Sequence, residues 1–415
     1  MKNKEHIVVI GAGIVGLSTA IWLRRAGRDV TVVDKGKPGM GTSYGNAGII
    51  AACGIAPVTA PGLTRKGPLL LLDPNFPLFL RWSYLPRLAP WLRKYLSHAN
   101  EADTRRISEG LRTIVCDSVE QHKALIKGTG AEHWITDSDY CFGYSDRAMF
   151  EADAFVLGLR REAGFVPELI EGNAVQDYEP ALAKSVGLLA VMKDHAYVRA
   201  PHKYVQALAQ VLLAEGGALK QAEVRDVELD TGQIKAVITD QGRMECDKAV
   251  IATGVWSKPL AKKLGLNVPL ESERGYHIVF KNPSITLNNP IMLATGKFVA
   301  TPMEDGLRCA GIVEFGGLKA GPSKAPLKLM RKQVKKNFPT LEFDGVEEWM
   351  GHRPAPTDSL PLIGEIGGSG VYAGFGHHHI GLTGGPKTGR MIADMIAQGG
   401  SNLDTSPFDP QRFSK

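Results

Sequence analysis

The sequence predicts an α/β protein containing a doubly wound, Rossmann-like nucleotide-binding domain, and three observations carry that prediction. The first is a complete strand–loop–helix–strand unit at the start of the chain. There, the apolar run His6-Ile7-Val8-Val9-Ile10 leads into Gly11-Ala12-Gly13-Ile14-Val15-Gly16, a helical stretch to Ala26 follows, and Val30-Thr31-Val32-Val33-Asp34 closes the unit. The second is a repeat of the same logic near the end. Gly370 to Phe375 reads as a strand, Gly376 to Gly385 as a glycine- and histidine-rich loop, and Pro386 to Ala397 as a helix opened by its proline. The third is a set of strand-like runs between 271 and 320, which suggests an antiparallel sheet forming the wall of a second domain.

Each glycine of the opening motif has a mechanical reason. Gly11 permits the tight turn, Gly13 lets a pyrophosphate approach the backbone, and Gly16 lets helix and strand pack closely. The helix N-terminus, at Ile14 and Val15, offers unpaired N–H groups and a positive dipole end to phosphate. Asp34, at the end of the second strand, can bind both ribose hydroxyls. Residues 35 to 48 hold five glycines in fourteen positions, including the run Thr42-Ser43-Tyr44-Gly45-Asn46-Ala47-Gly48. Such a loop presents backbone N–H groups closely to a ligand.

Further elements follow in order. Residues 68 to 96 interleave aromatic and aliphatic residues with Arg81, Arg87, Arg93 and Lys94. Such a segment either packs on the body as core or lid, or lies at a membrane interface. Residues 101 to 130 read as one long helix with Ile107, Leu111, Ile114, Val115, Val119, His122 and Leu125 on a single stripe. Strands are expected at 134–144 and 187–198, and helices at 152–164 and 203–215. A meander runs over 222–239 with a hairpin at 239–243, and a buried strand ends in Ala252-Thr253-Gly254. That last strand returns the chain to the sheet beside the nucleotide. Strands are expected again at 275–280, 298–302 and 307–315, and a basic helix with a solvated face at 326–338.

Composition excludes several classes of function. The 49 basic residues exceed the 43 acidic ones by 6, and the excess is dispersed, so no nucleic-acid groove is expected. Cys53, Cys116, Cys141, Cys246 and Cys309 are odd in number and widely spaced. Neither a disulfide framework nor a thiolate metal site fits them, which suits a reducing cytoplasm. No apolar run is long enough to span a bilayer, and a strand begins too early for a leader peptide. Three consecutive histidines, 377 to 379, do not converge as metal ligands on a loop, so no metal is expected.

With these segments placed, the chain resembles the flavin-dependent D-amino-acid oxidase superfamily from about Ile7 to Phe413. The resemblance is carried in order by the Gly11 motif, the Ser43 to Gly48 loop, Ala252-Thr253-Gly254 and the Gly376 to Thr383 loop. Within it, the likeness is to bacterial D-amino acid dehydrogenases and the related glyphosate oxidoreductase, on Glu273-Arg274-Gly275-Tyr276-His277, Lys297 to Glu304 and Gly351 to Gly364. The resemblance implies a Rossmann-like FAD-binding domain (1–60, 200–265 and 355–415) interleaved with an α+β substrate domain on an antiparallel sheet (61–199 and 266–354). It also implies FAD rather than NAD, bound non-covalently because Leu-Arg-Cys309-Ala-Gly is not an attachment motif. The expected cofactor contacts are Gly11, Gly13, Ile14, Val15, Gly16, Asp34, Lys35, Thr42, Ser43, Asn46, Ala47, Gly48, Val224, Thr253, Gly254, Trp256, Gly376, Gly381, Leu382 and Thr383.

The implied chemistry is hydride transfer from the α-carbon of a small amino or imino acid to flavin N5, leaving an imine that water hydrolyses to a 2-oxo acid and ammonia. A base matters less than geometry, because the neutral amine already has a lone pair to push. Arg353, in Gly351-His352-Arg353-Pro354, is expected to clamp the substrate carboxylate. Tyr276 and His277 alternate faces, and Tyr276 is expected to line the pocket. Arg274 either joins that pocket or pairs with Glu271 or Glu273. Among the loop histidines, His377 and His379 are the candidates to meet substrate, and Gly381, Leu382 and Thr383 present N–H groups where charge accumulates on reduction. Electrons are expected to leave to a quinone or another acceptor, with the protein cytoplasmic or peripheral on the inner membrane face. The alternatives are a glycine, sarcosine or N-alkylglycine oxidase, and a flavin-bearing subunit without turnover of its own.

Overall fold

A computed structural model of the protein describes residues 5–73 and 75–414. The opening unit forms as read: strand His6–Ile10, helix Ile14–Arg25 and strand Asp29–Asp34. These strands belong to a six-stranded sheet ordered 362–365, 371–375, 248–251, 6–10, 29–34 and 218–221. All neighbours are parallel except the first pair, as crossover helices require. Strands buried on both faces read as continuous apolar runs, which is why Ile7 to Ile10 shows no alternation. On one face pack the helices Ile14–Arg25, Pro201–Ala214 and Gly381–Gln398. On the other lie the three-stranded meander of residues 224–245 and the short helix Lys258–Lys263.

The second sheet has ten strands and is mostly antiparallel. Its main path runs 345–356, 270–281, 306–315, 298–303, 291–293, 135–144, 188–198 and 49–50. The helix Lys324–Asn337 covers it through Leu329, Met330 and Val334, leaving its lysines outside.

Two expectations change, and one open alternative narrows. The long helix of 101–130 is two helices, Glu101–Val115 and Ser118–Ile126, with the break at Cys116-Asp117. The break keeps the predicted stripe buried and frees Asp117 to pair with Lys387 of the terminal helix. Within 68–96, strand Leu78–Leu80 joins the large sheet, and helix Leu85–Ser97 buries Leu88, Trp91 and Tyr95 against Phe315 and Ala355. Burial at these three positions stabilises by about 1.5–3 kcal/mol per large apolar side chain. The packed alternative therefore describes this part of the segment, although Trp82 stays 62% exposed. The side chains of Pro68, Leu69 and Leu72, and residue 74, lie outside the described residues.

The terminal helix starts at Gly381, not at Pro386, which lies inside it. Proline has no N–H to give the carbonyl four residues earlier, so the Leu382 carbonyl lacks its helical partner. His122 supplies the missing donor: its Nε2 stands 2.9 Å from the Leu382 oxygen, while its Nδ1 meets the Tyr204 hydroxyl at 2.9 Å. Burial lowers the His122 pKa to about 4, so the ring is neutral at pH 7.

Candidate active site

The end of the parallel sheet opens into a cavity of about 580 Å³. The glycines of the opening motif differ in what they meet. A side chain at Gly11, which has φ +112°, would strike the Ala252 carbonyl at 2.6 Å, and one at Gly16 would lie 1.9 Å from the Gly11 oxygen. The fold itself forbids those side chains. A Cβ at Gly13 would meet only the Ser43 hydroxyl, at 3.5 Å. The space over Gly13 is thus open, at the start of a helix, where a phosphate fits. Asp34 accepts hydrogen bonds from the N–H groups of Ala12 and Gly36, both at 2.8 Å. Its carboxylate is fixed at the cavity wall, as a ribose partner needs.

Most of the expected cofactor contacts line this cavity. Gly11, Gly13, Ile14, Val15, Asp34 and Lys35 form one end, and Thr42, Ser43 and Asn46 come from the glycine-rich loop. Val224, Thr253, Gly254 and Trp256 contribute from the meander side, and Gly376, Gly381 and Leu382 close the other end. Lys35 sits 5.6 Å from the Trp256 ring centre. Gly16, Ala47, Gly48 and Thr383 stand outside the lining. Other groups of these residues bond or pack within the protein. The Ala47 carbonyl accepts from Thr301, the Thr383 hydroxyl donates to the Ile49 carbonyl, and a Cβ at Gly48 would meet Met303 at 2.6 Å.

A second group of residues lies on the paired strands 270–281 and 345–356, whose register sets Glu273 opposite Arg353, Gly275 opposite Gly351 and His277 opposite Trp349. All three pairs share one face. The Arg353 guanidinium occupies the space a Cβ at Gly275 would need, 2.7 Å from its Cζ, and donates to Glu273 at 2.7 Å. Trp349 fills the Cβ space of both Gly351 and Gly45 and stacks on His277 at 5.2 Å. Burial, with the charge of Arg308, lowers the His277 pKa to about 3. Arg308 is fully buried and donates to the carbonyls of Tyr44 and Asn46 at 2.8 and 2.9 Å, which ties the glycine-rich loop to the large sheet.

Tyr276 is not in the pocket. Strand alternation puts it on the opposite face, where its hydroxyl donates to Glu314 at 2.5 Å and accepts from the Ser323 N–H. Arg274 joins the same buried cluster, 2.7 Å from Glu314 rather than paired with Glu271 or Glu273. His277, not Tyr276, shares the face of Arg353.

The histidine loop divides its work. His377 is among the residues lining the cavity, and its ring lies 2.9 Å from the Thr388 hydroxyl, with a pKa lowered to about 3 by burial, so the ring is neutral at pH 7. His378 reaches Glu273 through Nε2 at 2.5 Å, and its Nδ1 lies 2.8 Å from Nδ1 of His379. His379 alone among the three is exposed. Glu273, His378, Trp349 and Arg308 were not singled out as site residues from sequence. For Arg308 the available signal was a charged residue between apolar ones in a strand that is otherwise largely buried.

Cys309 lies at the centre of the large sheet's core, fully buried, with burial pushing its thiol pKa up. Among the described residues, no cluster of His, Cys, Asp and Glu could hold a metal ion, and no helix is long and apolar enough to cross a membrane.

A parallel sheet with a glycine cradle and acidic strand end, joined to an antiparallel sheet that presents an arginine, defines an oxidoreductase built on a bound dinucleotide. The chain belongs to the DAO family, FAD dependent oxidoreductase, which it matches over residues 6–395. Its cofactor is FAD. It is 37% identical over the full length of both chains to D-amino-acid oxidase of Bradyrhizobium diazoefficiens. It is 27% identical to D-amino acid dehydrogenase of Rhizobium rhizogenes, across 98% of this chain and 99% of that one. The crystal structure of glycine oxidase from Bacillus cereus superposes with a TM-score of 0.72 at 21% identity, covering 96% of each chain, and shares the fold.

Proposed function

We propose that the protein oxidatively deaminates a D-amino acid, or a close N-substituted relative, to a 2-oxo acid and ammonia. The observation that carries this reading is Arg353, held flat over Gly275 by Glu273, on strands that adjoin the loop closing the dinucleotide cavity. A guanidinium with remaining N–H groups is the fitting partner for a carboxylate. FAD supplies the two-electron oxidation of the C–N bond when bound. Gly13 and the start of helix Ile14–Arg25 hold its phosphates, Asp34 its ribose, and the first turn of helix Gly381–Gln398 offers N–H groups to its ring. Burial of Cys309 supports non-covalent attachment.

The discontinuous segments 1–60, 200–265 and 355–415 serve the cofactor, and 61–199 with 266–354 serve the substrate. Electrons pass to a quinone or another acceptor. Exposed Trp82 supports contact of the 68–96 segment with an anionic bilayer, which flotation with anionic liposomes tests.

The deciding experiment mixes the FAD-loaded protein anaerobically with D- and L-amino acids, imino acids, glycine and sarcosine. Bleaching of the flavin band by D-amino acids is expected. Preference for sarcosine or glycine would transfer the protein to the N-alkylglycine oxidases, and no bleaching by any of them would remove the enzymatic reading. Reoxidation by air against a quinone analogue then identifies the acceptor.

A further inference from the structure

A clamp on the carboxylate fixes one end of an amino acid, and what stands beside the clamp decides how large the rest can be. Resting on the proposed function, with Arg353 as that clamp, we infer that Trp349 sets the upper limit on substrate size. Its indole closes the space next to the guanidinium, so the substrates are D-amino acids with a small, uncharged side chain.

Strand register carries this assignment. Gly275 and Gly351 stand directly opposite each other, and the side-chain positions of such a pair lie about 4.5–5.5 Å apart. Neither glycine fills its position, and a neighbour covers each one. The Arg353 guanidinium reaches across to Gly275, with Cζ and Nη2 both 2.7 Å from where a Cβ would be. The indole leans along its own strand over Gly351, with Cζ2 2.5 Å and Cζ3 2.7 Å from the Cβ position. Guanidinium and indole therefore lie side by side on a floor of paired glycines. The carbon next to a carboxylate held by Arg353 must pass the edge of that ring.

The ring is held in place from several sides. Its Cζ3 and Cη2 atoms fill the Cβ space of Gly45 as well as that of Gly351, so one edge of the indole meets both the cofactor loop and the strand. A side chain at either glycine would drive the ring out. His277 stacks on the indole at 5.2 Å, with 17° between the planes, and its Nδ1 donates to the Gly45 carbonyl at 3.1 Å. Tyr44 adds a third ring at 5.9 Å. Ser43 and Asn46 of the loop, and Pro354 beside Arg353, line the dinucleotide cavity, so the indole stands at its margin. Trp349 is itself partly exposed, and the route that it closes leads outward. On the other side of Gly275, strand 306–315 brings Val313 into register, a second apolar wall. A charged group at the end of a side chain would meet valine and indole there and lose its water without a partner. A long apolar chain would meet the ring itself.

The test compares FAD-loaded wild type with Trp349→Phe and Trp349→Leu, in steady-state turnover of D-alanine and D-phenylalanine with an artificial electron acceptor. Wild type should favour D-alanine in kcat/KM by more than about tenfold. Room for one methylene changes kcat/KM by about 10- to 200-fold, so the D-phenylalanine to D-alanine ratio should rise at least about tenfold in Trp349→Leu, and less in Trp349→Phe. Loss of packing alone would lower both rates and leave the ratio where it was. Trp349→Phe keeps a ring on His277 and carries the test if Trp349→Leu does not fold. Binding of acetate, butanoate and hexanoate, read from the flavin spectrum, measures the limit without turnover. Hexanoate should gain at least about tenfold in affinity in Trp349→Leu, and acetate less than about threefold. An unchanged ratio in the folded variants, or a wild type that takes D-phenylalanine as readily as D-alanine, would overturn the size limit and leave the proposed function in place. A wild type that selects carboxylates by length but bleaches with no D-amino acid would keep the limit and overturn the function.

Discussion

His122 stands in for a backbone N–H that Pro386 cannot provide, donating to the Leu382 carbonyl across 260 residues of sequence. The substitution of a side chain for a helical hydrogen bond lets a proline sit within the first two turns of the helix that closes the cavity. Without it, the Leu382 oxygen would be buried and unpaired.

His122→Leu should therefore destabilise the protein by about 1–3 kcal/mol, the cost of a buried polar group left without its partner. The Tyr204 hydroxyl would lose its bond as well. Denaturant unfolding of the FAD-loaded protein measures the loss. His122→Gln, which can still donate, should recover part of it.

Acid should weaken the fold in a defined window. His122, His277 and His377 have pKa values lowered by burial from 6.5 to about 4, 3 and 3. In the unfolded chain they take up protons near pH 6.5; in the fold they do not until their lowered values are reached. Stability is thus full above about pH 6.5 and is lost as pH falls toward 3–4, by roughly 1.4 kcal/mol per pH unit per histidine. Melting temperatures from pH 8 to 4 should fall below pH 6.5, with a shallower slope in His122→Gln. A flat profile over that range would contradict neutral buried rings.

Arg353→Ala should raise the apparent KM for a D-amino acid by about 10- to 100-fold, as expected for loss of a charge-assisted bond, with FAD content unchanged. Gly275→Ala should act in the same direction for a different reason, because its Cβ would lie 2.7 Å from the guanidinium carbon and force it off the strand. Steady-state kinetics with flavin absorbance measures both. Unaltered KM in Arg353→Ala would dismiss the carboxylate role.

Tyr276→Phe provides the contrasting case. It should leave KM within about twofold while costing about 1–3 kcal/mol, since it strips a bond from Glu314 in a buried cluster. A large KM change instead would place Tyr276 back among the substrate contacts.

What the sequence made legible follows from how local each signal is. The motif at Gly11, Gly13 and Gly16 is continuous, and Gly11 and Gly16 answer to atoms a few residues or one strand away, so the tight turn and close packing were legible. The large sheet was legible as strand runs, but which face of strand 270–281 meets the cavity was not. That choice depends on Arg274 and Tyr276 finding Glu314, some forty residues distant. The pairing of Glu273 with both Arg353 and His378 joins three separate segments, and spacing along the chain carries no trace of it. Pro386 was read as a helix opener because the rule for prolines assumes that a lost hydrogen bond goes unreplaced. His122 breaks that assumption from another helix.

Trp349 has a consequence beyond shape. Its indole fills the Cβ space of Gly45, on the cofactor loop, and of Gly351, on the substrate strand, while stacking on His277. One ring is thus wedged between the two halves of the machinery, and neither half can shift without the other feeling it. The indole is also an emitter, so once the other five tryptophans are replaced by phenylalanine its fluorescence should act as a built-in gauge of how the cofactor loop and the substrate strand sit together, legible in solution without a label.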